Sequence, residues 1–180
     1  MVLWAFGSVK IWAQRTSRRR VMSLSDWNWR LPRDNQDLAW DCAACSTAWA
    51  LRTVGYDLTE QDVIDGLGPS RISPTYGLLD ASGAGLVSYL GEIGVTAENN
   101  PDASWQEVMD AAGHQPMVIG GRQWCHWVAV RLGSDAIGRP DLELIALMNP
   151  APGYMGVDQV LTPDAFSILG TFSAVWFTGW

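Results

Sequence analysis

The sequence predicts an α+β fold in which helices come first and an antiparallel sheet follows. Between residues 43 and 112, apolar residues recur mainly at helical spacing. Between residues 116 and 178, short apolar runs alternate with turn residues, which is typical of strands. The chain has 180 residues, 48% of them hydrophobic, which is enough to bury the core of one domain. Helices followed by strands in one domain indicate the α+β class.

The predicted fold is organised around a helix over residues 43–54, which consists mostly of small and apolar residues. Ala44, Ala48 and Leu51 fall on one face of this helix. Gly55 follows at the position where a left-handed C-terminal cap is expected. Because the helix is apolar over most of its circumference, we expect it to be central and buried.

Capping and turn residues predict the other elements. Thr59 is expected to cap a short helix that stops at Gly68. Further helices are predicted from Asp80 or Ser82 to about Ile93 and from Ser104 to Ala112, the latter opened by a capping box with Glu107. The predicted strands cover residues 94–97, 116–119, 125–132, 142–148 and 173–178; loops are predicted at 69–77 and 99–101, and a helical turn at 162–166.

Charge divides the chain into two parts. Residues 1–21 carry five basic residues and no acidic ones, whereas residues 22–180 hold 7 basic and 19 acidic residues. The acidic part disfavours nucleic acid as a partner and favours a basic peptide, although acidic residues also serve solubility. We therefore expect residues 1–21 to form a basic N-terminal extension outside the fold, and the domain to span residues 22–180 with Met22 as the alternative initiator.

The first 21 residues do not predict a signal peptide or a membrane span. Their basic cluster follows the apolar stretch, which is the reverse of the order in a signal peptide. The apolar stretch is also too short to cross a bilayer. Three cysteines, an odd number, do not indicate a disulfide framework. We expect a cytoplasmic or phage-associated protein that needs no cofactor.

Cys42 is the candidate nucleophile. It lies in the first turn of the predicted central helix, where backbone N–H groups and the helix dipole stabilise a thiolate. Gln36 lies six residues upstream on the incoming loop, and its side-chain amide can donate to an oxyanion. This layout predicts a thiol nucleophile with an electrophilic partner, and a pKa of Cys42 below its ordinary value.

His126 is the candidate base. It stands at the head of a predicted strand, and alternation places it with Val128 on one face, whereas Cys125 and Trp127 lie on the other. A strand-end histidine held by backbone hydrogen bonds is the alternative interpretation. His114 is the competing histidine, and we expect it in an exposed turn.

Asn149 is the candidate orienting residue. It ends the apolar strand that follows His126, and a hairpin between the two strands would bring its side-chain carbonyl to the imidazole N–H. Asn149-Pro150 is also a common turn dipeptide, and both interpretations can hold together.

With these residues, the chain resembles the papain-like cysteine peptidases, most of all their bacteriocin-processing branch, which is of the double-glycine-leader type. The family pattern is a Gln, a six-residue step to an Asp-Cys pair, and a helix of small residues. Gln36, Asp41, Cys42, Ser46, Ala48 and Leu51 match it in register, whereas Ala43-Ala44 stand where the family usually has Gly-Pro. The resemblance implies a helical part whose nucleophile helix packs on a C-terminal antiparallel sheet.

For function, the resemblance implies a cysteine peptidase with a peptide or protein substrate. In this role Cys42 attacks, His126 is base and then acid, Asn149 orients His126, and Gln36 stabilises the oxyanion.

Four alternatives accompany this interpretation. The domain could be an inactive papain-like module that binds peptides, or a thiol-disulfide protein built on Cys42-Ala-Ala-Cys45. Cys45 could be the nucleophile, but its distance from Gln36 is then nine residues instead of six, so we interpret Cys45 as a small core residue. A zinc site would need Cys42, Cys45, Cys125 and His126. Strand alternation places Cys125 and His126 on opposite faces, which disfavours such a site.

Overall fold

The computed structural model describes residues 35–121, 125–134, 140–148, 150–151, 159–162, 164 and 170–180. For residues 131–134, 140–147 and 159–161 it describes the backbone alone. The predicted extension over residues 1–21, the domain start at Met22 and most of the predicted helical turn at 162–166 lie outside the described residues.

The helices lie mainly in the first half of the chain and the long strands in the second, which confirms the α+β prediction. The elements are α1 (Cys42–Thr53), α2 (Glu60–Leu67), β1 (Ile72–Ser73), β2 (Gly77–Leu78), α3 (Ala84–Glu92), β3 (Thr96–Ala103), α4 (Trp105–Ala112), β4 (Met117–Gly121), β5 (His126–Ser134), β6 (Pro140–Met148), β7 (Gln159–Leu161) and β8 (Phe172–Gly179).

The main sheet has six strands in the order β3-β8-β4-β5-β6-β7, and each neighbouring pair is antiparallel. Helix α1 packs on one face of this sheet, in a core that includes Trp127 and Ala129 of β5. Helix α4 packs on the opposite face, in a second core that includes Val128 and Val130. The predicted packing of the central helix on an antiparallel sheet is therefore confirmed.

Helix α1 is the most deeply buried helix of the described chain. Eleven of its 12 residues are buried, as its composition of small and apolar residues predicts. The helix ends at Thr53, and Gly55 follows with a φ of +93°. Only glycine adopts this backbone conformation without strain, so the predicted C-terminal stop is confirmed.

The start of α3 differs from the prediction. Its N-cap is Gly83, with a φ of +84°, and neither Asp80 nor Ser82 occupies that position. The Asp80 carboxylate nevertheless accepts hydrogen bonds from the backbone N–H groups of Ser82 (2.9 Å) and Gly85 (3.3 Å). The acid supports the helix start from the preceding turn, which is why its sequence position was mistaken for the cap.

The predicted loop at residues 99–101 is wrong, because β3 continues through it to Ala103. Strand β3 lies at the edge of the sheet and pairs only with β8. An edge strand tolerates Pro101, which has no N–H to donate, and polar residues such as Asn99 and Asn100. The short strands β1 and β2 pair with each other, and all of β1 and the first residue of β2 fall in the predicted loop at residues 69–77. Strand β7 was not predicted.

Candidate active site

The start of α1 has an unusual cap. Asp41 occupies the N-cap position, but its side chain makes no capping hydrogen bond. Its Oδ2 instead accepts from the backbone N–H of Leu38 at 3.0 Å. The Asp41 side chain therefore leaves the N–H groups of the first turn of α1 to other acceptors, and Cys42 is the first residue of that turn.

The Cys42 thiol lies among backbone N–H groups but is poorly solvated. The residue is 8% exposed. This burial is the main influence on the thiol and raises its pKa. Hydrogen bonding from the backbone N–H groups of Trp127, Ala43 and Cys42 lowers the pKa less, and the negative charge of Asp41 adds to the increase. The predicted depressed pKa is therefore wrong, because desolvation outweighs the helix N-terminus.

Cys42 and the start of β5 are joined through the Trp127 backbone. The N–H of Trp127 faces the Cys42 sulfur, and the Ser46 hydroxyl, one helical turn further on, donates to the Trp127 carbonyl at 3.2 Å. His126 is the residue before Trp127 and shares a rigid peptide plane with its N–H. The two candidate catalytic residues therefore lie on adjoining backbone.

Strand alternation does not explain this proximity. The face of β5 that α1 covers carries Trp127 and Ala129, and Val128 belongs to the opposite core. Cys125, predicted to point away from His126 along the strand, is not in the strand: it lies in the preceding turn with a φ of 49°. The His126 backbone lies beside Cys42 because His126 is the first residue of β5 and the Trp127 N–H that follows it faces the sulfur.

Two glycines leave space for the Trp127 indole ring. A Cβ atom on Gly120 would lie 2.5 Å from the ring, and one on Gly83 would lie 3.2 Å from it. Gly120 is also the residue opposite Trp127 in the β4–β5 ladder. A side chain at either position would meet the ring, so the bare backbone leaves room for the indole. Sequence reasoning missed Trp127 as a site residue, and these glycines were the available signal.

Gln36 lies on the loop that leads into α1 and is 8% exposed. Its Nε2 donates to the Leu38 carbonyl at 2.6 Å, which leaves a second amide hydrogen for another acceptor. Its Oε1 is buried and has no hydrogen-bond partner among the described residues. Its backbone N–H donates to the carbonyl of Pro150 at 2.9 Å. This bond ties the Gln36 loop to the segment that follows β6.

Asn149 itself lies outside the described residues, so its predicted role stays a prediction. The residues on either side, Met148 and Pro150, are buried. The predicted hairpin is present, with Met148 at the end of β6 paired to Ala129 near the start of β5. Loop 36–41, the start of α1, the start of β5 and Pro150 thus meet in one place.

The competing residues lie elsewhere. Cys45 is fully buried, which confirms it as a core residue, and Cys125 and His114 are exposed, the latter in the predicted turn. No disulfide joins the three cysteines, all of which the structure describes. The sheet around α1 is antiparallel, whereas a thioredoxin-like Cys-x-x-Cys would require a parallel βαβ unit.

The described residues contain neither a metal-binding cluster nor a membrane-spanning helix. Among these residues, no three His, Cys, Asp or Glu side chains lie close enough together to hold a metal ion. Over the same described residues, no helix combines the length and apolarity that a membrane span requires.

Comparisons with known proteins identify the fold. No protein-family model matches the chain, and no curated protein does. Among solved structures, it is similar to a double glycine motif protease from an AMS/PCAT transporter, solved in complex with the leader peptide: the TM-score is 0.58 and the identity 17%, over 86% of this chain and 95% of that one. It is also similar to the peptidase domain of Streptococcus ComA, a bi-functional ABC transporter involved in quorum sensing: the TM-score is 0.59 and the identity 12%, over 83% of this chain and 98% of that one. The chain therefore has the papain-like fold of the double-glycine peptidase domains.

Proposed function

We propose that the chain is a cysteine peptidase, or a closely related amide hydrolase, that acts on a peptide or protein substrate. One observation carries this proposal. The Cys42 thiol at the start of α1 faces the Trp127 N–H, next to His126, and the loop that carries Gln36 is tied to the same place. A nucleophile, a base and an oxyanion donor on three converging segments are what acyl transfer requires.

In the proposed reaction, the Cys42 sulfur attacks the substrate carbonyl and His126 accepts the thiol proton. The tetrahedral oxyanion is stabilised by the Cys42 N–H and by the second hydrogen of Gln36 Nε2. His126 then donates its proton to the leaving amine, and water hydrolyses the acyl-enzyme. Asn149 accepts a hydrogen bond from the imidazole and fixes its tautomer.

The raised pKa of Cys42 bears on the stage of the proposed reaction at which the thiolate forms. Because burial raises this pKa, the sulfur holds its proton while the site is empty. The proton therefore moves to His126 as the substrate arrives, and His126 acts as a general base in the attack.

A peptide with a double-glycine motif is the first substrate to test, because one structural neighbour is a double glycine motif protease bound to a leader peptide. We expect the protein to cleave such a synthetic peptide after the second glycine, with the products identified by mass spectrometry. The matched controls are a peptide in which both glycines are alanine and the Cys42→Ala variant. Cleavage that persists in Cys42→Ala would reject the proposal, and so would the absence of cleavage in a library of unstructured basic peptides.

One observation favours a second candidate, an inactive papain-like module that binds peptides. A buried thiol with a raised pKa is the usual state of an inert cysteine. This candidate predicts that the wild type binds the double-glycine peptide without cleaving it, and that a peptide-linked thiol electrophile leaves Cys42 unlabelled. If the electrophile labels Cys42 faster than Cys45 at neutral pH, the result supports the peptidase over the inactive module.

A further inference from the structure

The carboxylate of Asp41 forms one end of a short hydrogen-bonded chain that leads to the Gln36 side chain. We propose that Asp41 is a positioning residue, which holds the Gln36 amide at the Cys42 thiol through the two backbone groups of Leu38. This inference rests on the proposed function and deepens it, because it names what orients the oxyanion donor.

The burial of Asp41 needs an explanation. The residue is fully buried, and a buried carboxylate is costly unless hydrogen bonds satisfy it. At an N-cap, an Asp normally accepts from the N–H of the second or third helical residue. Asp41 makes no such bond. Its Oδ2 accepts from the Leu38 N–H at 3.0 Å, and its Oδ1 has no hydrogen-bond partner in the described part of the chain.

Leu38 transmits the position of Asp41 to Gln36. The N–H of Leu38 is held by Asp41, and the carbonyl of the same residue accepts from Gln36 Nε2 at 2.6 Å. The Leu38 side chain is 46% exposed, so packing of this side chain does little to hold the residue in place. Because an amide NH₂ group is planar, fixing one hydrogen also fixes the direction of the other. That second hydrogen is the one proposed to meet the oxyanion.

The same arrangement leaves the start of α1 open. A carboxylate that capped the helix would accept from the N–H of the second or third residue of α1, Ala43 or Ala44, and would place its negative charge beside the proposed oxyanion. By turning to Leu38, Asp41 secures the Gln36 loop and leaves these donors unoccupied by its own side chain. Both parts of the proposed oxyanion site therefore depend on where one carboxylate points.

Kinetics of a double-mutant cycle test the proposal. We expect D41A to lower kcat by about ten- to a hundredfold with little change in KM, which is no more than the loss in Q36A. The double variant D41A/Q36A is expected to lose no more than Q36A alone, because Asp41 acts through Gln36. Additive losses would overturn the proposal, since a purely structural Asp41 would weaken the enzyme independently of Gln36.

Two conservative variants separate geometry from charge. D41N keeps an oxygen that can accept from the Leu38 N–H, so we expect it to retain most of kcat. D41E keeps the charge but moves the carboxylate, so we expect it to lose activity as D41A does. If D41A does not fold, the contrast between D41N and D41E decides, and the reverse order of activities overturns the proposal. D62A is the matched control, because Asp62 belongs to a capping box of α2 and is expected to affect stability without affecting kcat.

A readout without turnover separates this proposal from the proposed function. In a ¹H–¹⁵N spectrum, the two Nε2 protons of Gln36, assigned with Q36A, are expected at well-separated shifts because one is hydrogen-bonded. D41A is expected to move them towards the positions of a free amide, whereas D41N is not. If the wild type cleaves no peptide, the proposed function fails and the spectra alone decide the role of Asp41. Unchanged Gln36 resonances in D41A overturn it in either case.

Discussion

Helices α1 and α4 pack on opposite faces of the same sheet, and they begin in opposite ways. At α4, the Ser104 hydroxyl accepts from the Glu107 N–H at 3.3 Å, and the Glu107 carboxylate accepts from the Ser104 N–H at 2.8 Å. This capping box closes the helix start with its own side chains. At α1, the Asp41 side chain makes no cap bond and no acidic residue lies in the first turn.

The two helices are stabilised in different ways. A capping box is worth about 1 kcal/mol to an ordinary helix, and α4, with only two of its eight residues buried, needs that local stabilisation. Helix α1 has eleven of 12 residues buried and is held by packing instead. It can therefore leave the first turn without a side-chain cap, as the proposed function requires. Variants at the two helix starts test whether they differ in function as well as in stability.

The largest effect is expected at Cys42. Cys42→Ala removes the nucleophile, so we expect turnover to fall by at least about 10⁴-fold with little change in the melting temperature. Cys45→Ala, three residues further along α1, is the matched control: it loses core packing, with a cost of about 1 kcal/mol, and keeps its turnover. Equal losses of turnover in both variants would mean that the start of α1 has no chemical role.

Gln36→Ala is expected to fold normally and to lose roughly ten- to a thousandfold in turnover, the scale of one oxyanion donor. Steady-state kinetics and thermal unfolding measure the two effects separately. Gln106→Ala, an exposed position in α4, provides the comparison and is expected to change neither. Full activity of the Gln36 variant would remove its assigned role.

At α4 the expected effect is on stability alone. Ser104→Ala removes the capping side chain, so we expect the free energy of unfolding to fall by about 1 kcal/mol and the melting temperature by about 2–4 °C. Turnover per folded molecule is expected to stay at the wild-type value. A loss of turnover in this variant would show that the two helix starts are not separate in function.

The smallest effect concerns pH. Burial raises the pKa of Cys42 in the folded state, so the folded chain keeps this proton to higher pH than the unfolded chain. The resulting stabilisation is present at neutral pH and is lost as alkaline pH passes through the folded-state pKa. We expect iodoacetamide to alkylate Cys42 with a midpoint at higher pH in the native protein than in urea. A lower native midpoint would indicate a thiolate paired with His126 at rest.

Local sequence signals predicted much of the fold. The extent and burial of α1 follow from its small apolar residues, and both capping boxes have their usual spacing, Thr59 with Asp62 and Ser104 with Glu107. These features depend on residues three or four apart, so a local pattern is sufficient.

The features that the sequence did not predict depend on distant partners. Strand β3 exists because Asn99 pairs with Val175 of β8, and no local pattern records that pairing. The pKa of Cys42 depends on how far the folded chain excludes water from the sulfur, and on the Trp127 N–H, 85 positions away in sequence. Gln36 and Cys42 were identified as candidates from their spacing, whereas the hydrogen-bonded chain through Leu38 required coordinates.

The burial of the Cys42 sulfur also bears on oxidation. Peroxides attack thiolates and spare thiols, so a sulfur that is 8% exposed and has a raised pKa is a poor target. Cys125, which is exposed in the turn before β5, is the more accessible sulfur. The surface thiol would therefore meet an oxidant first, and the buried thiol at the start of α1 would stay reduced for longer.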